Sequence, residues 1–205
     1  MKDEDILIDL FEAGEAFVGG DESGLRRLLP YMINKEVYGE SPVVFYVADD
    51  VGVLDFLCGE GVDFYQKTKL GGSSLLHQVS LRGTDEVFEW MLAWYKDNDL
   101  VDASDDAGVT SLSSLIKFGN VSRATRLIES GADLKSVAEN GLTPALQSVL
   151  CLDGEKEGVK CLSMLFSKGL ALNVDEFTSL GQTARSLNRL SIARYIDEKV
   201  GLKGF

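Results

Sequence analysis

One imidazole, three thiols and a scatter of hydroxyls and carboxylates make up the reactive inventory of this 205-residue chain. His77 has Ser73, Ser74 and Ser80 beside it in sequence. A serine nucleophile needs a base, and the base needs a third group to orient it. Serines crowded on one turn around a histidine do not supply that arrangement, so His77 reads as a structural residue bonded within its own turn. Cys58, Cys151 and Cys161 stand far apart on apolar runs. With one histidine, no Cys-x-x-Cys and no His-x-x-x-His, the usual zinc spacings cannot be assembled. Cys161 lies beside Leu162 and Leu165, where a thiol is buried and unreactive rather than activated. No Gly-x-x-x-x-Gly-Lys-Ser/Thr or Gly-x-Gly-x-x-Gly loop is present to cradle a phosphate. The pairs Asp49-Asp50 and Asp105-Asp106 read as solvated surface. The expectation is a non-enzyme with no catalytic residue, no metal and no cofactor.

The elements that position these residues recur. Gly72, Gly108, Gly141 and Gly181 each open a related stretch, at separations of 36, 33 and 40 residues. A period in this range marks an array of one small supersecondary unit. Apolar residues inside a unit fall at helical spacing: Leu112, Leu115 and Ile116, then Leu127 and Ile128. Thr143 before Pro144 suits an N-cap followed by proline at the first helical position. Thr110-Ser111 and Thr183-Ala184 keep the cap and lose the proline. Gly131 follows Ala124, Leu127 and Ile128, and so predicts a left-handed C-terminal cap. Helices this short are unstable alone and must bury their apolar stripes on their neighbours. Leu127 is expected in that core.

The unit resembles the ankyrin repeat, whose period is 33 residues and whose first helix opens with Thr-Pro-Leu-His-x-Ala. The third unit carries the resemblance best. Gly119-Asn120 stands at the turn between two helices, Leu127-Ile128 at the paired leucines, and Gly131-Ala132-Asp133 at the closing Gly-Ala-Asp. The second unit keeps Leu76, His77 and Gly83, then carries about three extra residues before Leu100-Val101-Asp102. The fourth carries about five extra, placed in the polar run Asp153–Gly158. A weaker first unit runs from Ser41-Pro42-Val43 through Val53–Leu57 to Gly61-Val62-Asp63. The last ends with Arg185–Asn188 and Ile192–Ile196. The resemblance implies an all-α ankyrin-repeat solenoid of stacked antiparallel helix pairs with turn or β-hairpin fingers. It divides the chain into a degenerate N-terminal capping repeat (1–38), an array of about five units (39–198) and a tail (199–205).

Composition narrows the partner. Thirty-three acidic against 20 basic residues give a net charge of −13. That opposes nucleic-acid binding, which needs cations to neutralise phosphates, and favours capture of a basic protein. The acidic start Met1-Lys2-Asp3-Glu4-Asp5 lacks the features of a secretory signal. No apolar run approaches the length of a membrane span. The odd, scattered cysteines suggest no disulfide framework. These readings predict a cytoplasmic monomer with a protein partner and no membrane.

In ankyrin-like arrays the exposed turn tips and the open side of the first helices meet partners. Carried over by position, this nominates Leu70 and Arg82, with Thr68 and Leu81, around the second unit. It nominates Ser104, Asp105, Asp106, Val109, Lys117 and Phe118 around the third, and Val137, Glu139, Leu142, Leu150 and Cys151 around the fourth. The turn at Asp175, Glu176 and Phe177 is expected to be about two residues longer than the family pattern and adds Phe177. Apolar residues at exposed positions beside carboxylates fit a protein interface. The implied function is a non-catalytic protein binder, in its sharper form an acidic inhibitor or immunity-type protein that masks a basic partner. The alternative is a regulatory or accessory adaptor for an enzyme or transcription complex.

Overall fold

The computed structural model describes residues 3–34, 36–37 and 41–201. Two compact units divide it: residues 1–98 with 104–106, and residues 99–103 with 107–205. The expected domain boundary at 38/39 and residues 202–205 of the expected tail lie outside the described residues.

The first unit opens with a helix hairpin, α1 (Asp3–Val18) and α2 (Ser23–Asn34). A two-residue antiparallel pairing follows, β1 (Glu36–Val37) with β2 (Ser41–Pro42). A 3-10 helix (Val43–Tyr46) leads into α3 (Val51–Gly59), α4 (Leu75–Arg82) and α5 (Asp85–Asp97). The 3-10 turn stands where the repeat pattern predicts an α-helix. Val43, Val44, Phe45 and Tyr46 are β-branched or aromatic and weak helix formers, and the first three are buried. Burial of that run, rather than helix propensity, fixes the segment. Phe64, Met91, Leu54, Leu57 and Tyr95 form the core beside α3 and α5. Phe64 meets Trp90 and Trp94 edge-on at 5.2 and 5.5 Å.

The second unit is three helix pairs: α6 (Ser111–Lys117) with α7 (Val121–Glu129), α8 (Pro144–Val149) with α9 (Glu155–Ser167), and α10 (Val174–Ser186) with α11 (Leu190–Gly201). Helix α8 packs between α6 and α10. The local signals that place these helices act as predicted. Thr110 Oγ1 accepts from the Ser113 N–H at 3.3 Å, and Thr143 Oγ1 from the Leu146 N–H at 3.2 Å. Asn120 caps α7 through the Arg123 N–H at 3.1 Å. Gly131 has φ +105°; its N–H donates to Ile128 and that of Ala132 to Leu127, the paired bonds of a Schellman cap. Leu127 is fully buried, with Leu112, Leu115, Leu162 and Leu165.

The last pair departs from the predicted register. Thr183 is not an N-cap; it lies inside α10, and its hydroxyl donates to the Ser179 carbonyl at 3.0 Å. The helix starts ten residues earlier. Asn173 Oδ1 accepts from the Glu176 N–H at 2.9 Å, and Glu176 accepts from the Asn173 N–H at 2.7 Å. This reciprocal capping box fixes the N-terminus. Gly181 alone costs about 1 kcal/mol in a helix interior, too little to break it. The polar run after Asp153 also differs: Glu155–Gly158 forms the first turn of α9 rather than a loop. Helix α11 continues through Gly201.

Candidate functional site

In the second unit, Gly108, at φ +76°, lets two turn segments approach closely. The Glu139 N–H donates to the Ala107 carbonyl at 2.9 Å, and the Ala138 N–H to the Leu142 carbonyl at 2.9 Å. The Asp133 N–H is held by both carboxylate oxygens of Asp102, at 2.9 and 3.1 Å. Burial raises the Asp102 carboxyl above its ordinary pKa, and the Asp133 N–H opposes that shift. The fingers therefore bring Val109, Val137, Glu139 and Leu142 to the N-terminal ends of α6 and α8. Val137 is 63% exposed; Glu139 is exposed, and Val109 and Leu142 are half-buried.

Lys117, Phe118 and Leu150 collect at the other end of these helices, where α6 and α8 terminate. The Leu152 N–H donates to the Lys117 carbonyl at 2.8 Å and ties the two ends together. Phe118 is 43% exposed, and Leu152, which the repeat pattern did not nominate, is 59% exposed. The nominated residues of this unit thus form two clusters, one at each end of α6 and α8. Their separation follows the helices, which rise about 1.5 Å per residue.

Two nominations fail. Phe177 is buried (2% exposed). As the fourth residue of α10 it turns inward and stacks on Phe166, with ring centroids 5.5 Å apart and planes at 14°. The predicted long turn at Asp175–Phe177 is the first turn of that helix. Cys151 is also buried (1% exposed) rather than at a tip.

The early start of α10 has a consequence for the surface. Where another finger is expected, a helix stands, and a groove of about 470 Å3 opens between it and the finger 134–143. Leu134, Val137, Leu146, Leu172 and Leu180 line it, with Asp175 and Glu176 from α10 and Lys135 from the finger. Of these only Val137 was nominated from sequence. The Asn173…Glu176 spacing before an apolar run was the signal that could have found the rest.

In the first unit, Leu70 is 71% exposed at a turn tip. The Asp106 N–H donates to the Gly71 carbonyl at 3.0 Å, and Lys67 Nζ to the Ser104 carbonyl at 2.6 Å. Leu70, Ser104, Asp105 and Asp106 thereby share one finger region. Arg82 lies apart from it, exposed in the last turn of α4.

His77 and Cys161 are engaged structurally. His77 is buried. Its Nδ1 accepts from the Ser74 N–H at 3.3 Å and lies 2.8 Å from Ser74 Oγ. This reciprocal contact starts α4. Burial pushes the Cys161 thiol up to about 12, away from thiolate chemistry. Among the described residues, no three His, Cys, Asp or Glu side chains are grouped to hold a metal. No helix among them is long and apolar enough to cross a membrane.

No protein-family model matches the chain, and no curated protein matches it. Solved structures do. An ankyrin repeat domain from Acinetobacter baumannii AYE superposes with a TM-score of 0.69 at 17% identity, covering 92% of this chain and 95% of that one. A chain of the complex described as the Bd0816 predatory endopeptidase from Bdellovibrio bacteriovorus with immunity protein Bd3460 superposes with a TM-score of 0.55. There the identity is 22%, and the match covers 78% of this chain and 79% of that one. At these identities the likeness is one of architecture, and it agrees with the capped helix pairs and fingers described above: this chain has the all-α ankyrin-repeat fold.

Proposed function

We propose that the chain is a non-catalytic module that binds and masks a basic partner protein, in the manner of an inhibitor or immunity protein, through its second unit. The observation that carries the reading is the groove beside Val137. An apolar floor is open to solvent, a large apolar side chain stands exposed at its rim, and Asp175 and Glu176 line the same opening. An exposed apolar surface rimmed by polar groups is what a protein interface requires. Val137 and, at the other cluster, Phe118 serve as apolar anchors, since binding energy concentrates in a few desolvated residues. Asp175 and Glu176 act mainly on the encounter, within the field of a chain carrying −13 net charge. The likeness to a chain of the complex of the Bd0816 endopeptidase with immunity protein Bd3460 supports an immunity-type reading.

The test is a pull-down with the full chain, followed by surface plasmon resonance on the protein retained. Val137→Ser and Phe118→Ala should speed dissociation. Asp175→Asn with Glu176→Gln should slow association, an effect that fades as salt rises past about 0.15 M, where the Debye length is about 8 Å. The Gln side chain can still accept the capping bond, so the helix start survives. A retained partner whose rates none of these variants alter would refute the surface. A partner whose own activity is unchanged in the complex would refute masking.

A further inference from the structure

Helix α1 carries two apolar faces, and only one of them is used. Ile6, Leu10 and Ala13 are buried against the rest of the first unit. Ile8, Phe11 and Val18 are not: they are 58%, 69% and 77% exposed. With Glu4 and Glu15 they follow a four-three-four-three spacing, which places all five on one stripe of the helix. Three large apolar side chains thus stand in solvent along one face of α1.

The stripe borders a cavity. A groove of about 240 Å3 lies between α1 and the corner that joins the 3-10 helix to α3. Phe11 and Val18 form one wall, and Tyr46, itself 44% exposed, stands on the other. Gly14 leaves the floor open, since a Cβ there would meet nothing within 4 Å. The charge is one-sided. Glu15, Asp49 and Asp50 line the groove, and no Lys or Arg does. Residues 3–18 contain six carboxylates and no cation: Asp3, Glu4, Asp5, Asp9, Glu12 and Glu15. Of the nearby arginines, Arg27 pairs with Asp9 on α1 itself, and Arg26 pairs with Glu22 and Glu60; neither lines the groove.

We infer that this face is a second docking surface, and that its occupant is a basic amphipathic helix of another protein. Its apolar residues would repeat every three or four positions and its flanks would carry Lys or Arg. The ridge spacing on α1 suits a helix laid alongside it. Glu15, Asp49 and Asp50 along the groove select cationic flanks. They also disfavour the two other occupants of an apolar helix face. A second copy would set one acidic stripe against another, and like charges in contact are penalised. A membrane surface carrying anionic lipid would repel the same stripe. The inference rests on the first unit alone and does not depend on the reading of the second.

The probe is a fluorescently labelled synthetic helix of leucine and lysine in amphipathic order, titrated against the full chain by anisotropy. A glutamate-for-lysine version serves as the charge control. The Leu/Lys helix should bind and the Leu/Glu helix should not. Phe11→Ser with Val18→Ser should weaken binding at least about tenfold, with circular dichroism unchanged because both side chains are already exposed. Glu15→Gln with Asp49→Asn should weaken it at about 0.05 M salt and much less at about 0.5 M. Equal binding of the Leu/Lys helix to the Phe11/Val18 variant would overturn the proposal, because the attraction would then be charge alone. So would no binding at all. A dimer of the native chain that sedimentation shows to dissolve in that variant would give the face to a second copy. Variant-sensitive binding to phosphatidylcholine–phosphatidylglycerol vesicles would give it to a membrane.

Discussion

A methyl group on Gly108 would sit 3.2 Å from the Ala138 Cα and 3.2 Å from the Glu139 nitrogen. The two fingers of the second unit run that close because the Glu139 N–H must reach the Ala107 carbonyl. Glycine at position 108 therefore serves twice. It adopts φ +76° without a Cβ penalty, and it leaves room for the neighbouring backbone. The neighbour is main chain and cannot swing aside as a flexible side chain would.

Gly108→Ala should accordingly be costlier than a change at a glycine with the same backbone requirement and open space. Gly131 is that control: φ is +105° and a Cβ would meet nothing within 4 Å. The left-handed conformation alone costs about 1–2 kcal/mol. Gly131→Ala should show that cost, and Gly108→Ala visibly more. Urea unfolding of the two variants checks it, and equal midpoints would mean that the fingers are not in contact.

Much of this architecture is written locally. Between Thr110 and Gly131 each helix has its own cap, its own apolar stripe and a glycine where the chain must turn, and the structure follows them one by one. Two segments were not legible from the repeat. At Val43–Tyr46 the match to the pattern was overridden by the burial of a β-branched and aromatic run. At Gly181–Ala184 the letters of the motif are present, but the helix had already started at Asn173. The binding face inherits both the strength and the fault. Val137 and Leu142 are on a finger because the repeat places a finger there. Phe177 was misplaced with the register, and of the apolar residues of the α10 groove only Val137 was nominated. The outer stripe of α1 was also readable, since Ile8, Phe11 and Val18 are spaced for one face. A search confined to turn tips passes over it.

The register of the last helix pair is open to a direct comparison. Asn173→Ala removes the side chain that accepts the Glu176 N–H and should cost about 0.5–2 kcal/mol. Thr183→Ala replaces a mid-helix threonine with a better helix former and should change stability by no more than about 0.5 kcal/mol. If α10 instead began at the repeat motif, the order would reverse. Thermal or urea unfolding of the two single variants decides between them, and neither change touches the buried face of Phe177 and Leu180.

Tyr95 gives the first unit a pH signature. Its ring is fully buried, and its hydroxyl donates to the Phe64 carbonyl at 3.1 Å. Burial pushes the phenol from 10.0 up to about 12, with hydrogen bonding opposing the shift. The folded value stands above the unfolded one, so the fold favours the neutral phenol. That contribution is complete below pH 10 and is lost as pH rises from about 10 through about 12. The unfolded chain ionises first, and ionisation then pulls the equilibrium towards it. Between about pH 9 and about pH 11 the loss from this one group should be about 1 kcal/mol. Lysines titrate over the same range, so the native chain alone cannot isolate the effect. Tyr95→Phe keeps the ring, gives up the hydrogen bond to the Phe64 carbonyl and has nothing to ionise. It should start less stable at about pH 9, by about 1 kcal/mol, and then lose less on going to about pH 11. Urea unfolding of both chains at the two pH values measures the difference of differences. Parallel losses would mean that the Tyr95 hydroxyl reaches water in the folded state.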